Sequence, residues 1–233
     1  MRLSRNITNR INWIFDNLIP PLLRDSKAFM APFFYLLFKK DYKKFMTFKS
    51  KASQFSVEEM QNFYKTTEDL HIKRETDLNT KSIKFILNNL KGKTILDISC
   101  GRGYLVKKIA EDKSLIVTGV DFNIPDFLEN SENINYVEAT IEAIPFDDNS
   151  FDTVICTHTI EHIVNINLAL KELKRVCKKR LIIVVPRQKN YKYTFDLHVN
   201  FFPYKHTVLD TFGHDGKVSC LQNDWLYIND NIN

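Results

Sequence analysis

Apolar residues recur through the middle of the chain as short runs separated by longer segments with helical spacing. Short runs of Ile, Val and Leu are typical of buried strands, and apolar residues three and four apart indicate amphipathic helices. The alternation predicts an α/β fold with a parallel sheet and a terminal antiparallel hairpin. Strands are predicted at residues 95–98, 115–120, 134–138, 151–156 and 180–185, with hairpin strands at 217–222 and 225–228. Helices are predicted at 79–90, after Gly103, at 167–177 and at 203–212.

The N-terminal part has a wholly helical pattern, which predicts an extension over residues 1–75 and one α/β domain over residues 76–233. A helix is predicted over residues 2–23, ended by two prolines, and another over residues 56–66. Residues 28–38 are apolar almost throughout. This run is too short to span a bilayer, which needs about 20 residues.

Charge is distributed unevenly along the 233 residues, whose formal net charge is +5. Residues 1–51 contain eleven Lys/Arg and three Asp/Glu, whereas the remainder contains 22 basic and 25 acidic residues. Nucleic acid is not an expected partner, because the basic excess lies outside the α/β domain. The extension is expected to cover one side of that domain or to lie on an anionic membrane surface, with its lysines at the headgroups.

The cysteines indicate a reducing compartment. The four cysteines are widely spaced and form no C-x-x-C motif, which favours free thiols over a disulfide framework. Asn12 and Asp16 interrupt the apolar stretch near the N-terminus, so no secretory signal is expected. The prediction is a cytoplasmic location, peripheral at the inner face of the membrane if the extension contacts lipid.

The most specific chemical signal is a glycine turn after the first predicted strand. Gly101 and Gly103 let the backbone turn sharply and approach a ligand closely. Asp97, at the end of the strand, suits a ligand with a positively charged amino group better than a pyrophosphate. Asp121 ends the second strand, where an acidic residue typically binds ribose hydroxyls. Together these residues predict a nucleoside ligand.

Four sequence blocks resemble class I S-adenosylmethionine (SAM) methyltransferases of the type 11 group, in that family's order and spacing. The blocks are Asp97-Ile-Ser-Cys-Gly-Arg-Gly103, Gly119-Val-Asp121, Ile144-Pro-Phe-Asp-Asp-Asn-Ser-Phe-Asp152 and Thr157-His-Thr-Ile-Glu-His162. The resemblance implies a Rossmann-like seven-stranded sheet, mostly parallel with an antiparallel C-terminal hairpin, and SAM as methyl donor. The first 70 or so residues are similar to the leader of some bacterial methyltransferases associated with cell-surface glycans.

The resemblance also implies a set of cofactor contacts. Asp97 and Ser99 would serve the amino group of SAM, and Gly101 and Gly103 would pass under its methionine part. Asp121 would bind the ribose hydroxyls. The remaining contacts are expected from Phe122 beside the adenine, from Thr140 and Ile141 at the adenine edge, and from Thr157 at the end of the fourth strand. Relatives often have Asp in place of Thr140, which accepts a hydrogen bond more weakly.

A general base would help if the acceptor is a hydroxyl group. The candidates are His158 and His162, directly after the fourth strand, and His198, which Asp196 could orient from the same side of an extended segment. For His162 a structural hydrogen bond is the favoured role. No metal is expected. One alternative stays open, because some quinone-pathway O-methyltransferases bind a divalent cation through Glu-x-x-Glu-His here, and this chain has His158, Glu161 and His162. The same residues match a zinc peptidase motif, which requires a continuous helix.

The expected function is methyl transfer to a small or lipid-linked acceptor, most simply O-methylation in bacterial surface-glycan assembly. A quinone or lipid methyltransferase is an alternative that the apolar extension suits equally. A regulatory protein that binds SAM without turnover is a second alternative, against which the intact set of Asp97, Gly101, Gly103 and Asp121 argues. The sequence leaves the acceptor atom and the oligomeric state open.

Overall fold

The computed structural model describes residues 5–52, 54–67 and 75–232, which form two compact units. The helical unit comprises Met1–Arg74 and Gln188–Pro203, and the sheet unit comprises Glu75–Arg187 and Tyr204–Asn233. The sequence predicted one boundary at residue 75 and assigned residues 188–203 to the α/β domain. In the structure this segment belongs to the helical unit, because Tyr193 and Leu197 lie in that unit's core.

The helical unit contains five helices in its described residues. They are α1 (Arg5–Asn17), α2 (Pro21–Arg24), α3 (Lys27–Phe38), α4 (Tyr42–Ala52) and α5 (Val57–Thr67), with a 3-10 turn at Lys39–Asp41. The helix predicted over residues 2–23 is therefore two helices, and residues 2–4 lie outside the described part. The core is rich in phenylalanine, including Phe15, Phe34, Phe38, Phe45 and Phe48. No helix in the described part of the chain is long and apolar enough to cross a bilayer.

The sheet unit is a seven-stranded sheet with helices. Its elements are α6 (Thr80–Asn88), β1 (Thr94–Ile98), α7 (Tyr104–Ile109), β2 (Ile116–Asp121), β3 (Ile134–Glu138), β4 (Phe151–Thr157), α8 (Ile166–Val176), β5 (Cys177–Pro186), α9 (Lys205–Phe212), β6 (Lys217–Leu221) and β7 (Asp224–Asn229). The strand order is β3-β2-β1-β4-β5-β7-β6. Strand β7 pairs antiparallel with β5 and β6, and the other pairs are parallel. The predicted fold is confirmed.

The strand order reverses direction at β1, whose neighbours are β2 and β4. In open α/β sheets the ligand binds outside the carboxyl ends of the strands at such a point. Ile98 at the end of β1 lies opposite Val120 and Cys156, so the segments that follow these strands begin at the same edge. The topology therefore predicts a ligand site at the loops after β1, β2 and β4.

The turn of the C-terminal hairpin lies one residue earlier than the sequence predicted. Asn223 and Asp224 were expected to join its strands, whereas the joining residues are Gln222 and Asn223, with φ of 48° and 72°. Two successive positive φ angles match the twist of a two-residue hairpin. Asp224 is consequently the first residue of β7, where it is fully buried.

Candidate cofactor-binding site

The loop after β1 has an unusual backbone. Ser99, Gly101 and Gly103 all have positive φ, at 59°, 52° and 70°. The Gly103 amide donates to the carbonyl of Cys100 at 2.9 Å, which closes the loop just before α7. Because left-handed backbone is costly for residues with a Cβ, glycine is the natural choice at two of these positions. Ser99 is the exception, and its strain lies where the ligand was predicted.

The two glycines have different surroundings. A Cβ on Gly103 would lie 2.6 Å from the hydroxyl oxygen of Tyr136 and 2.9 Å from Cδ2 of Leu128. A Cβ on Gly101 would meet no atom of the described residues within 4 Å. Gly103 is therefore required by the packing of the protein itself. Gly101 borders open space, as a backbone that passes beneath a ligand would.

Asp121 holds the loop through its carboxylate. Its Oδ2 accepts a hydrogen bond from the amide of Gly101 at 2.9 Å, and its Oδ1 accepts one from Asn123 at 3.2 Å. Burial raises the pKa of Asp121, and the backbone hydrogen bonds act against that rise. Each carboxylate oxygen has a further lone pair, so the same group can accept from ribose hydroxyls.

Asp97 is a buried carboxyl group whose Oδ1 has no hydrogen-bond partner among the described residues. Burial, and then the charge of Asp121, raises the pKa of Asp97 to about 8. Burying such a group without a partner is costly. A bound ammonium group would supply the missing partner and favour the carboxylate. This environment fits the amino group of SAM, as the sequence predicted.

The other predicted contact residues lie along the same edge of the sheet. Thr157 ends β4, one residue beyond the Cys156–Ile98 pair. Phe122 follows Asp121 and is half-buried. After β3, the carbonyl of Thr140 accepts from the amide of Ala143 at 3.2 Å, and Ile141 is buried. The Gly101 amide donates to Asp121, and the charge of Asp121 acts on Asp97. The cofactor roles of all nine predicted residues, including Ser99, Phe122, Thr140, Ile141 and Thr157, stay predictions.

His158 lies between two buried carboxylates in the sheet unit. Its Nδ1 is 3.3 Å from Oε1 of Glu161, and its Nε2 is 3.6 Å from Oδ2 of Asp224. Burial alone would lower the pKa of His158, but hydrogen bonds to Asp224 and Glu161 outweigh it and raise the pKa to about 9. At neutral pH the imidazole therefore carries its proton. This arrangement suits an electrostatic anchor better than the general base that we predicted.

Asp224 joins His158 to the start of α6. Its Oδ2 accepts from Nδ2 of Asn79 at 2.7 Å and from Oγ of Ser82 at 3.2 Å. Asn79 also caps α6 by accepting from the amide of Ser82 at 2.9 Å. This network was not predicted from the sequence, because Asp224 was interpreted as a turn residue. The one available signal was Asn79 directly before a helix, which is typical of an N-cap.

His158, Glu161 and His162 do not form the helix that a zinc peptidase motif requires. Ile160–His162 is a single 3-10 turn, and His158 precedes it with φ of 50°. Both ring nitrogens of His158 face carboxylate oxygens, and a protonated imidazole is not a metal ligand. The geometry therefore does not favour His158 as a ligand of a divalent cation.

His198 lies in the helical unit and is buried there. Its Nδ1 is 2.5 Å from Oε1 of Gln188, and Nε2 of Gln188 donates to Oδ2 of Asp196 at 3.4 Å. Asp196 was predicted to orient His198 directly, whereas Gln188 lies between them. Because an amide oxygen only accepts, Nδ1 of His198 carries the hydrogen in this hydrogen bond.

Comparison with known proteins agrees with this geometry. A family model for a methyltransferase domain matches residues 96–185. A ubiquinone biosynthesis O-methyltransferase of Coxiella burnetii is 30% identical over 57% of this chain and 56% of its own length. A 2-phytyl-1,4-naphtoquinone methyltransferase of Nostoc is 32% identical over 44% of this chain and 51% of its own length. A tRNA U34 carboxymethyltransferase of Nautilia profundicola is 36% identical over 37% of this chain and 31% of its own length. The chain thus spans between about a third and just over half of these relatives.

Solved structures support the fold alone. In the complex between the Haloferax volcanii Trm112 methyltransferase activator and a methyltransferase, the matched chain has 14% identity and a TM-score of 0.54, over 74% of this chain and 96% of that one. A methyltransferase from an antibiotic biosynthesis pathway of Anabaena variabilis has 19% identity and a TM-score of 0.50, over 62% and 65%.

The strand order, the glycine loop and the matched segment define the class of this protein. It has the class I methyltransferase fold, and residues 96–185 match the family model of a methyltransferase domain. The predicted cofactor type is confirmed. Asp97 and Asp121 are the residues whose surroundings best fit the amino group and the ribose.

Asp121→Ala is expected to weaken SAM binding by roughly 1.5–3 kcal/mol, because a charged acceptor for the ribose is removed. The loop also loses the hydrogen bond from Gly101. Isothermal calorimetry on the full chain measures the effect. Asp126→Ala, an exposed carboxylate after the same strand, is the matched control and should leave affinity unchanged. Equal affinity in Asp121→Ala and the unmodified protein would contradict the site.

Proposed function

We propose that this chain transfers the methyl group of SAM to an acceptor carried by a lipid. Two features of the cofactor site support this proposal. Asp97 is buried with its Oδ1 unpartnered among the described residues, and Asp121 holds the glycine loop by a hydrogen bond. When bound, SAM supplies a methyl group on a sulfonium, which is already a good leaving group. The chain's own task is then to align the acceptor, and alignment alone can supply most of the acceleration.

Two acceptor classes are proposed. Two relatives at 30% and 32% identity are named for ubiquinone and naphthoquinone methylation, which favours a quinone ring on an apolar tail. A lipid-linked glycan remains the second proposal, because the N-terminal residues resemble leaders of glycan-associated methyltransferases. Both acceptors combine a polar group with a long apolar chain. The phenylalanine-rich helical unit is our proposed partner for that apolar part.

The test is label transfer from isotopically labelled SAM in fractionated cell extract, followed by mass spectrometry of the products. Label in the quinone fraction supports the first acceptor class, and label in the lipid-linked glycan fraction supports the second. S-adenosylhomocysteine must form in step with the labelled product. Binding of SAM with no product in any fraction would contradict the proposal and favour a regulatory protein.

His198 is the proposed base for a hydroxyl acceptor. His198→Ala is expected to lower turnover by about 10²-fold, because the acceptor's proton then lacks a positioned base. Gln188→Ala should shift the pH profile of turnover, since Gln188 sets the tautomer. SAM affinity should stay unchanged in both variants. Full activity of His198→Ala would show that the acceptor needs no base.

A further inference from the structure

The exposed large apolar side chains are concentrated in one part of the helical unit. Fourteen such residues occur in the described part of the chain, and eight of them lie between residues 13 and 36. They are Trp13, Ile14, Leu18, Leu22, Leu23, Phe33, Tyr35 and Leu36. Isolated exposed apolar residues are ordinary, but a contiguous set marks an interaction surface.

Helix α3 is apolar on both of its sides. Met30, Phe34 and Phe38 recur at four-residue intervals and are buried in the unit's core. On the outer side Phe33 and Leu36 are exposed, Leu36 by 71%. No charged residue occurs between Lys27 and Lys39. An apolar outer side on a surface helix has no role in a monomer surrounded by water.

The surface continues onto α1 and α2. The rings of Phe15 in α1 and Phe33 in α3 are in edge contact with centroids 5.9 Å apart, so the two helices meet at these residues. Trp13 and Leu18 are exposed by 58% and 63%, and Leu22 in α2 by 85%. We call the eight apolar residues together the apolar face.

Lysines lie at both ends of α3. Lys27 begins the helix, Lys39 and Lys40 follow it, and all three are exposed. Lys43 is exposed nearby, whereas Lys44 pairs with Asp41 at 3.0 Å. Apolar side chains with Lys beside them are typical of interfacial helices on anionic lipid. A two-fold contact with a second copy would instead bring the lysines of both copies together.

We infer that the apolar face is a docking surface for an anionic phospholipid membrane, with Trp13, Leu22 and Leu36 entering the headgroup and acyl boundary. The lysines at the ends of α3 contact the headgroup phosphates. This inference goes beyond methyl transfer and does not depend on it. It assigns residues to the membrane contact that the sequence predicted only for residues 1–51 as a whole.

The test is co-sedimentation of the full chain with phosphatidylglycerol-containing vesicles and with pure phosphatidylcholine vesicles. Binding is expected to the former only, and it should weaken as salt is raised. Leu22→Glu/Leu36→Glu should lower binding at least about tenfold. Lys39→Gln/Lys40→Gln should lower it about 25-fold, since each lysine near an anionic surface contributes about fivefold.

Matched controls are available in the sheet unit. Val164→Glu/Leu168→Glu places the same charges at other exposed apolar positions and should leave vesicle binding unchanged. Trp13 fluorescence should shift to the blue on binding, and Trp13→Phe should abolish that shift because Trp225 is buried. Retained S-adenosylhomocysteine binding and an unchanged melting temperature exclude misfolding of a variant.

Two results would overturn the inference. One is equal vesicle binding by the full chain and by Leu22→Glu/Leu36→Glu, which would place the contact elsewhere. The other is absence of vesicle binding together with a dimer, seen in sedimentation velocity, that the same substitutions dissociate. That outcome would assign the apolar face to a second copy of the chain.

Discussion

Replacement of Gly103 by alanine is expected to abolish SAM binding and to destabilise the fold. The added Cβ would lie 2.6 Å from the Tyr136 hydroxyl oxygen and 2.9 Å from Leu128, on a backbone with φ of 70°. Overpacking and left-handed strain together cost about 2–4 kcal/mol. The loop must move to relieve the contact, and the Asp121–Gly101 hydrogen bond moves with it. Denaturant unfolding and calorimetric SAM titration measure the two effects.

Gly101→Ala is the matched control, because its Cβ meets no described atom within 4 Å. Gly101→Ala should lower the free energy of unfolding by only about 1 kcal/mol, the strain of its positive φ. It should still weaken SAM binding, since the added Cβ enters the ligand's space. Adding Tyr136→Phe to Gly103→Ala should recover part of the lost stability. Equal stability of Gly103→Ala and the unmodified protein would contradict the packing argument.

Replacement of Asp224 by alanine is expected to destabilise the sheet unit by about 3–5 kcal/mol, because a buried ion pair loses one partner. The substitution also removes the acceptor for Asn79 and Ser82 at the start of α6. Asp210→Ala is the matched control, since Asp210 pairs with His214 at 3.1 Å on the surface. That exposed pair should contribute about 0–1 kcal/mol.

The contribution of His158 to the free energy of unfolding should decrease as pH rises. Its pKa is about 9 in the folded protein, above the usual value near 6.5. The folded state therefore binds the proton more tightly, and the contribution is complete below about pH 6.5 and is lost as pH rises through about 9. His158→Gln should remove this part of the pH dependence of unfolding. An unchanged pH profile in that variant would contradict a charged His158.

The fold and the cofactor loop were predictable because their signals are local. Strand β1, the glycines and Asp121 lie within about 30 residues, and each is marked by its own chemistry. Apolar runs of the right length also predicted the parallel strands and the hairpin. The helix-to-strand connection before β5 was missed, because α8 ends at Val176 and β5 begins at Cys177 with no loop between them.

The parts that could not be predicted depend on contacts between residues far apart in sequence. Asp224 meets Asn79 across 145 positions, and nothing in either local segment indicates that partner. Likewise, residues 188–203 join the helical unit because Tyr193 and Leu197 complete a phenylalanine-rich core. Whether Asp196 or Gln188 contacts His198 depends on side-chain geometry that strand periodicity does not determine.

The most direct test of the central claim is calorimetric titration of the full chain with SAM, across pH values around the pKa of Asp97. We predict one SAM per chain and an affinity that rises as pH increases toward about 8, because Asp97 must ionise to pair with the ammonium group. Asp97→Asn should bind weakly and lose that pH dependence. Absence of SAM binding, or binding that Asp97→Asn leaves unchanged at every pH, would contradict the account.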